Sequence, residues 1–106
     1  MSNKILEYAP AGRSPFAEWF EDLDPVTAAR VDRYIRRLEG GNLSAVKALR
    51  EGVFEVRMDF GPGYRVYGGW ADRTTIVLLG GGDKKRQAAD IAAAVQRWKQ
   101  YKQEKK

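Results

Sequence analysis

The chain has 106 residues and a formal net charge of +5 at pH 7, a length that fits one domain over residues 1–106 with a hydrophobic core of its own. It contains no cysteine and no histidine, which excludes disulfides, thiolate metal sites, a thiol nucleophile and the commonest general base. Any catalysis falls to carboxylate, lysine, arginine, tyrosine or hydroxyl groups, and no metal or cofactor site is expected.

The elements, taken in chain order, read β, α, α, β, β, β, α. The opening "MSNKILEYAPAGRS" carries no long apolar run, so neither a signal peptide nor a membrane span is expected, and the default location is the cytoplasm. Within it, Lys4–Tyr8 reads as a short strand. Ser14-Pro15 is a helix start, an N-cap hydroxyl followed by a proline whose missing N–H costs nothing there. Phe16, Trp19, Phe20 and Leu23 then recur at helical spacing. Asp24-Pro25 repeats the start signal. A second helix runs to about Glu39, with Ala28, Val31, Ile35 and Leu38 inward and Arg30, Arg33, Arg36 and Arg37 on its other faces. Gly40–Asn42 ends it through a left-handed cap. The two helices are joined by so little chain that an antiparallel helical hairpin is expected.

"VFEVRMDF" (Val53–Phe60) alternates as a strand, "YRVYGGW" follows as a second, and "TTIVLLG" (Thr74–Gly80) is a continuous apolar run of the kind covered on both sides. "GGGD" leads into a final helix capped by Asp83, with Ala88, Ile91, Val95 and Trp98 as its stripe. These elements predict an α+β layer architecture: an antiparallel sheet carrying the N-terminal strand and helical hairpin, plus a C-terminal helix.

A three-residue turn at Gly61–Gly63 places Phe60 opposite Tyr64, Asp59 opposite Arg65 and Arg57 opposite Tyr67. Glu55, Arg57, Asp59, Arg65 and Tyr67 then share one face, and Phe54, Val56, Met58, Phe60, Tyr64 and Val66 share the other. One outcome is a solvated salt-bridge ladder of Arg57, Asp59 and Arg65. The other is an open, basic, aromatic-edged face for a polyanion, since arginine forks grip phosphate and Tyr67 offers stacking or proton transfer.

Charge distribution bears on that choice. Residues 1–52 hold eight basic and eight acidic side chains; residues 53–106 hold eleven and six, and so carry the whole +5. This is the footprint of a nucleic-acid partner, of an acidic protein partner, or of a solvated tail at Lys99, Lys102, Lys105 and Lys106. "GGGDKKRQ" (Gly80–Gln87) is neither a Walker nor a GxGxxG motif. Its Lys84, Lys85 and Arg86 sit where a helix dipole prefers acids, which marks them as candidates for anion binding. "NLSAVKALREG" (Asn42–Gly52), read as a loop or short helical turn, brings Lys47 and Arg50 to the rim of the same face.

The order "ARVDRYIRRLEGGN…VKALREGVFEVRMDFGPGYRVY…TIVLLGGGDKKRQAADIAAAVQRW" resembles the RelE/ParE superfamily of type II toxin–antitoxin toxins, and within it the HigB-like branch of addiction-module killer proteins. The likeness runs from about Glu18 to Tyr101, and "GVFEVRMDFGPGYRVY" and "LLGGGDKKRQAADI" are its most specific parts. It implies a cognate antitoxin, often of helix-turn-helix type; the charge map adds the expectation that a short acidic or amphipathic segment of it covers the sheet face or the helical hairpin. In RelE-like relatives it implies ribosome-dependent mRNA cleavage without a metal. Carried over by position, Arg57 and Arg65 match strand arginines, Lys84 and Lys85 a basic position after the last core strand, and Lys47 and Arg50 a basic loop. Glu55 stands where a strand lysine is expected, and Asp90 near an expected C-terminal tyrosine. The implied roles are charge stabilisation by Arg57 and Arg65, phosphate orientation or leaving-group protonation by Lys84 or Lys85, and proton removal by Tyr67 or Glu55; Arg86 adds RNA binding. ParE-like relatives share the fold and inhibit DNA gyrase instead. A nucleic-acid-binding module without activity is the third alternative.

Overall fold

A computed structural model describes residues 2–105; Met1 and the tail residue Lys106 lie outside the described residues. The elements are β1 (Lys4–Glu7), α1 (Pro15–Glu21), α2 (Pro25–Glu39), β2 (Val46–Ala48), β3 (Val53–Arg57), β4 (Arg65–Asp72), β5 (Thr75–Gly82) and α3 (Gln87–Glu104). The first two predicted helix starts form through their caps; the third does not, because Asp83 caps a separate 3-10 turn and α3 begins after Arg86 with no side-chain cap. The Ser14 hydroxyl accepts from the Ala17 N–H at 3.0 Å, and the Asp24 carboxylate accepts from the Thr27 N–H at 3.0 Å. At the end of α2, Gly40 stays right-handed and Gly41 supplies the left-handed residue at φ 92°.

The five strands lie in the order β1-β5-β4-β3-β2. β1 pairs with β5 in parallel, and the other neighbours are antiparallel. The sheet is therefore mixed rather than purely antiparallel. β2 occupies the segment expected to be a loop or helical turn. It forms because Glu51 and Gly52 both take positive φ (54° and 86°) and the Val53 N–H reaches the Arg50 carbonyl at 3.0 Å, the tight primed turn that joins twisted antiparallel strands.

Each face of the sheet buries its own core. Phe54, Val56, Met58, Val66, Ile76 and Leu78 pack on one side against Phe16 of α1 and Val31, Ile35 and Leu38 of α2. Tyr8, Val53, Tyr67, Val77 and Leu79 pack on the other against Ala94, Val95 and Trp98 of α3. The alternation of Ile76 and Leu78 with Val77 and Leu79 is why β5 reads as an unbroken apolar run. The expectation of an open second face does not hold, because α3 lies over it. Burial of a side chain such as Val95 contributes about 1.5–3 kcal/mol. That outweighs the cost of about 0.3–1 kcal/mol for cations at a helix start. The cations also avoid that position in part: Lys84–Arg86 form a separate 3-10 turn whose Lys85 N–H is capped by Asp83 at 2.9 Å, and the first turn of α3 carries Asp90. Among the described residues no helix is long and apolar enough to cross a membrane.

Close approach of α3 requires Gly69. A Cβ there meets the Trp98 ring at 2.8 Å, so Gly69→Ala is expected to lower stability by about 1–3 kcal/mol through overpacking. A urea midpoint that falls at unchanged slope checks this.

Candidate functional site

The β3–β4 hairpin sets the register of the site. Arg57 pairs with Arg65, Val56 with Val66 and Glu55 with Tyr67. This corrects the expected pairs Asp59–Arg65 and Arg57–Tyr67. The turn is longer than expected: the Met58 N–H donates to the Tyr64 carbonyl at 3.0 Å, and Gly61 and Gly63 adopt positive φ (57° and 79°) inside the loop. The register shifts by two residues, so every side chain keeps its expected face. Asp59 leaves the ladder for the loop, and the expected Arg57–Asp59–Arg65 ladder does not form.

Glu55 takes that place. Its carboxylate is 1% exposed, with one oxygen 3.5 Å from Arg65 Nε and the other 3.8 Å from Arg57 Nε. Gln87, from the first turn of α3, donates to Glu55 Oε1 at 3.2 Å. Arg65, 5% exposed, donates from a terminal nitrogen to the Gly63 carbonyl at 2.7 Å. A buried carboxylate of this kind is tolerated because cations and a hydrogen bond surround it. Arg57, with 54% of its side chain exposed, is the member of the group that meets solvent.

Lys84 joins the group through the hairpin loop: its N–H reaches the Pro62 carbonyl at 3.3 Å, and its side chain lies beside Gly63. Lys85 and Arg86 are exposed on the same short turn. Lys47 sits opposite Glu55 on β2, hence on the same face. Lys47, Arg57, Arg37, Tyr34 and Asp59 line a groove of about 390 Å³ along the β2 edge. Arg37 also covers the Tyr34 ring at 4.7 Å. Arg50 is not part of this group; it lies in the β2–β3 turn, at the far end of β3 from Arg57. The structure thus brings together Lys47, Glu55, Arg57, Arg65, Tyr67 and Lys84 and leaves Arg50 apart. Sequence reasoning missed Gln87 and Arg37. Gln87 carries no charge signal, and its role appears only once α3 is seen to cross this face.

Tyr67 is 1% exposed, and its hydroxyl has no hydrogen-bond partner among the described residues. Burial pushes the phenol up to about 12, with the Asp90 and Glu55 carboxylates adding and Arg65 opposing. Burial likewise raises the Asp90 carboxyl, against the pull of Arg86. Asp90 packs against Gly82, where a side chain would collide with it. Among the described residues no group of three or more acidic side chains is placed to hold a metal ion.

The Tyr67 shift has a checkable consequence. Its folded pKa lies above the ordinary value of 10.0, so the neutral phenol contributes stability in full below pH 10, and that contribution is lost as pH rises toward about 12. Tyr67→Phe is expected to remove this share of the alkaline loss while retaining stability at neutral pH, because the ring packing is kept and no hydrogen bond between protein groups is broken. Urea titrations of both proteins across that range measure the difference.

The arrangement is a cluster of cations, with Arg57, Lys47 and Lys84 exposed, in front of a buried Glu55–Arg65 pair. Residues 18–99 match the family described as phage derived protein Gp49-like (DUF891). The chain is also 40% identical over 80 residues to an uncharacterized protein of Haemophilus influenzae, an alignment covering 74% of this chain and 81% of that protein. With more than half of its length matched and the mixed α+β architecture in place, the chain belongs to the Gp49-like family, a family of RelE/ParE-like toxins of toxin–antitoxin systems.

Proposed function

We propose that this protein is the toxin of a type II toxin–antitoxin module of the HigB-like kind, a metal-independent endoribonuclease that cuts mRNA on the ribosome and is neutralised by a cognate antitoxin of helix-turn-helix type. The observation that carries the proposal is the exposed Arg57 backed by the buried Glu55–Arg65 pair, with Lys47 on the same face and Lys84 beside the hairpin loop.

RNA brings its own nucleophile. The 2′-oxygen attacks the adjacent phosphorus, the P–O5′ bond breaks, and a 2′,3′-cyclic phosphate and a 5′-hydroxyl result. One proton leaves the 2′-hydroxyl for solvent water, and one reaches the departing 5′-oxygen from a lysine. The protein contributes alignment and stabilisation of the charge that builds on the phosphorane. Arg57 contacts that charge. Glu55, itself fixed by Arg65, holds the Arg57 guanidinium in position from behind. Lys84 or Lys85 orients the phosphate and protonates the leaving oxygen, while Lys47, Arg86 and Arg37 extend the track for the RNA backbone. Glu55 serves here as the anchor between two arginines. Tyr67 keeps its proton at neutral pH and shapes the floor beneath them.

The gyrase-binding alternative would use the C-terminal helix as a grip. The apolar stripe of α3 is already occupied by the sheet through Ala94, Val95 and Trp98, which favours the RNA reading. Expression of the protein in growing cells separates the three alternatives. New RNA 5′ ends inside translated messages, with intact chromosomes, are expected. Broken DNA with intact messages would mean gyrase poisoning. Unimpaired growth with both intact would mean a module without activity.

A further inference from the structure

The side of the sheet covered by α1 and α2 carries a second surface, chemically opposite to the first. Between α1, α2 and β1 lies a recess of about 260 Å³ with an apolar floor that includes Ile5, Phe16, Phe20 and Ile35. Its rim carries the carboxylates of Glu7, Glu21, Asp32 and Glu39 and one cation, Arg36. Arg36 lies 3.4 Å from Asp32 and 2.8 Å from Glu39. Glu7 and Glu21 are exposed and make no ion pair among the described residues. A chain of net charge +5 thus concentrates unneutralised negative charge around an apolar hollow.

The recess also borders an unpaired sheet edge. The Lys4 and Tyr8 N–H groups donate to β5 at Thr74 and Leu78 (2.7 and 2.9 Å). The alternation of a parallel ladder therefore turns the main-chain groups of Ile5 and Glu7 away from β5. Among the described residues no strand pairs with that edge.

We infer that this recess docks a basic segment of a partner protein, which inserts one large apolar side chain between α1 and α2 and sets lysines or arginines against Glu7 and Glu21. An apolar anchor in a pocket ringed by charge is the usual form of a binding hot spot, and rim charges select the partner by sign. The same carboxylates repel phosphate, so nucleic acid is excluded as the occupant. The recess and the Arg57 group lie on opposite faces of the sheet. The partner therefore binds without covering Arg57, whatever Arg57 acts on. This inference stands independently of the mRNA reading.

A short fluorescein-labelled helical peptide with leucines on one face and lysines on the other serves as the probe, with its glutamate counterpart as control. Binding to the full chain is read by fluorescence anisotropy and by an amide shift map. Exchanging both exposed carboxylates, Glu7→Lys with Glu21→Lys, is expected to weaken the lysine peptide by about tenfold or more. The same change of charge placed elsewhere, Asp59→Lys with Glu104→Lys, is expected to cost less than about threefold. Shifts should centre on Ile5, Phe20 and Ile35, and a single-stranded RNA should not displace the peptide. Equal weakening by both double exchanges, no weakening by the first, shifts centred elsewhere, or displacement by RNA would each overturn the assignment.

Discussion

Replacing Glu55 with alanine is expected to cost about 3–5 kcal/mol of folding stability, the loss that follows when one member of a buried ion pair is removed. The loss has a specific origin. Glu55 is 1% exposed and stands 3.5 Å from Arg65, itself 5% exposed. Without the carboxylate, Arg65 keeps its bond to the Gly63 carbonyl but faces β3 as an uncompensated buried cation, and Gln87 loses its acceptor. The domain has 106 residues, and a total stability of about 5–15 kcal/mol is normal at such sizes, so the variant is expected to be partly unfolded at physiological temperature. Urea unfolding gives the number directly. Removing both charges at once, Glu55→Leu with Arg65→Met, should recover much of the loss, since a well-packed apolar pair is often as stable as a buried ionic one. A loss below about 1 kcal/mol for Glu55→Ala, the scale of exposed pairs, would mean that the pair is solvated.

Arg57→Ala separates function from stability. The side chain is 54% exposed and its approach to Glu55 is long, at 3.8 Å, so the fold should lose no more than about 1 kcal/mol. If Arg57 meets the phosphorane, truncation removes about 2–4 kcal/mol of transition-state stabilisation, or roughly a hundredfold or more in rate. The loss should appear in kcat rather than KM, because a group that acts on charge developing during the reaction contributes little to ground-state binding. Single-turnover cleavage on programmed ribosomes, with thermal unfolding of the same preparation, measures both quantities.

Local signals carried much of the fold. Ser14-Pro15 and Asp24-Pro25 fix the helix starts through short-range capping, and the spacing of Val31, Ile35 and Leu38 fixes the buried side of α2. What escaped depends on distant pairing or unusual backbone. β1 joins β5 in parallel across most of the chain, which no local pattern encodes. β2 is three residues long, and its turn places Glu51 at a positive φ that side chains of its type seldom adopt.

The site was legible in part for the same reasons. The alternation of Phe54, Val56 and Met58 against Glu55 and Arg57 assigns the faces in either register, so the arginines were correctly grouped. The role of Glu55 was not legible, because it depends on the hairpin loop being longer than Gly61–Gly63 alone and on Gln87 arriving from α3. The closure of the second face was encoded in "TTIVLLG", whose two-sided apolarity needs a cover on each side. The Ala-rich stripe of α3 is a weaker signal than the aromatic face of α1.

The most direct test is a cleavage assay with purified protein, ribosomes programmed with a defined mRNA, free mRNA as control, and Arg57→Ala alongside the unaltered chain. Cuts within the decoding site that require the ribosome and fall about a hundredfold or more in the folded Arg57→Ala protein are the predicted result. Full cleavage by that variant, or no cleavage by a folded and toxic unaltered chain, would contradict the account.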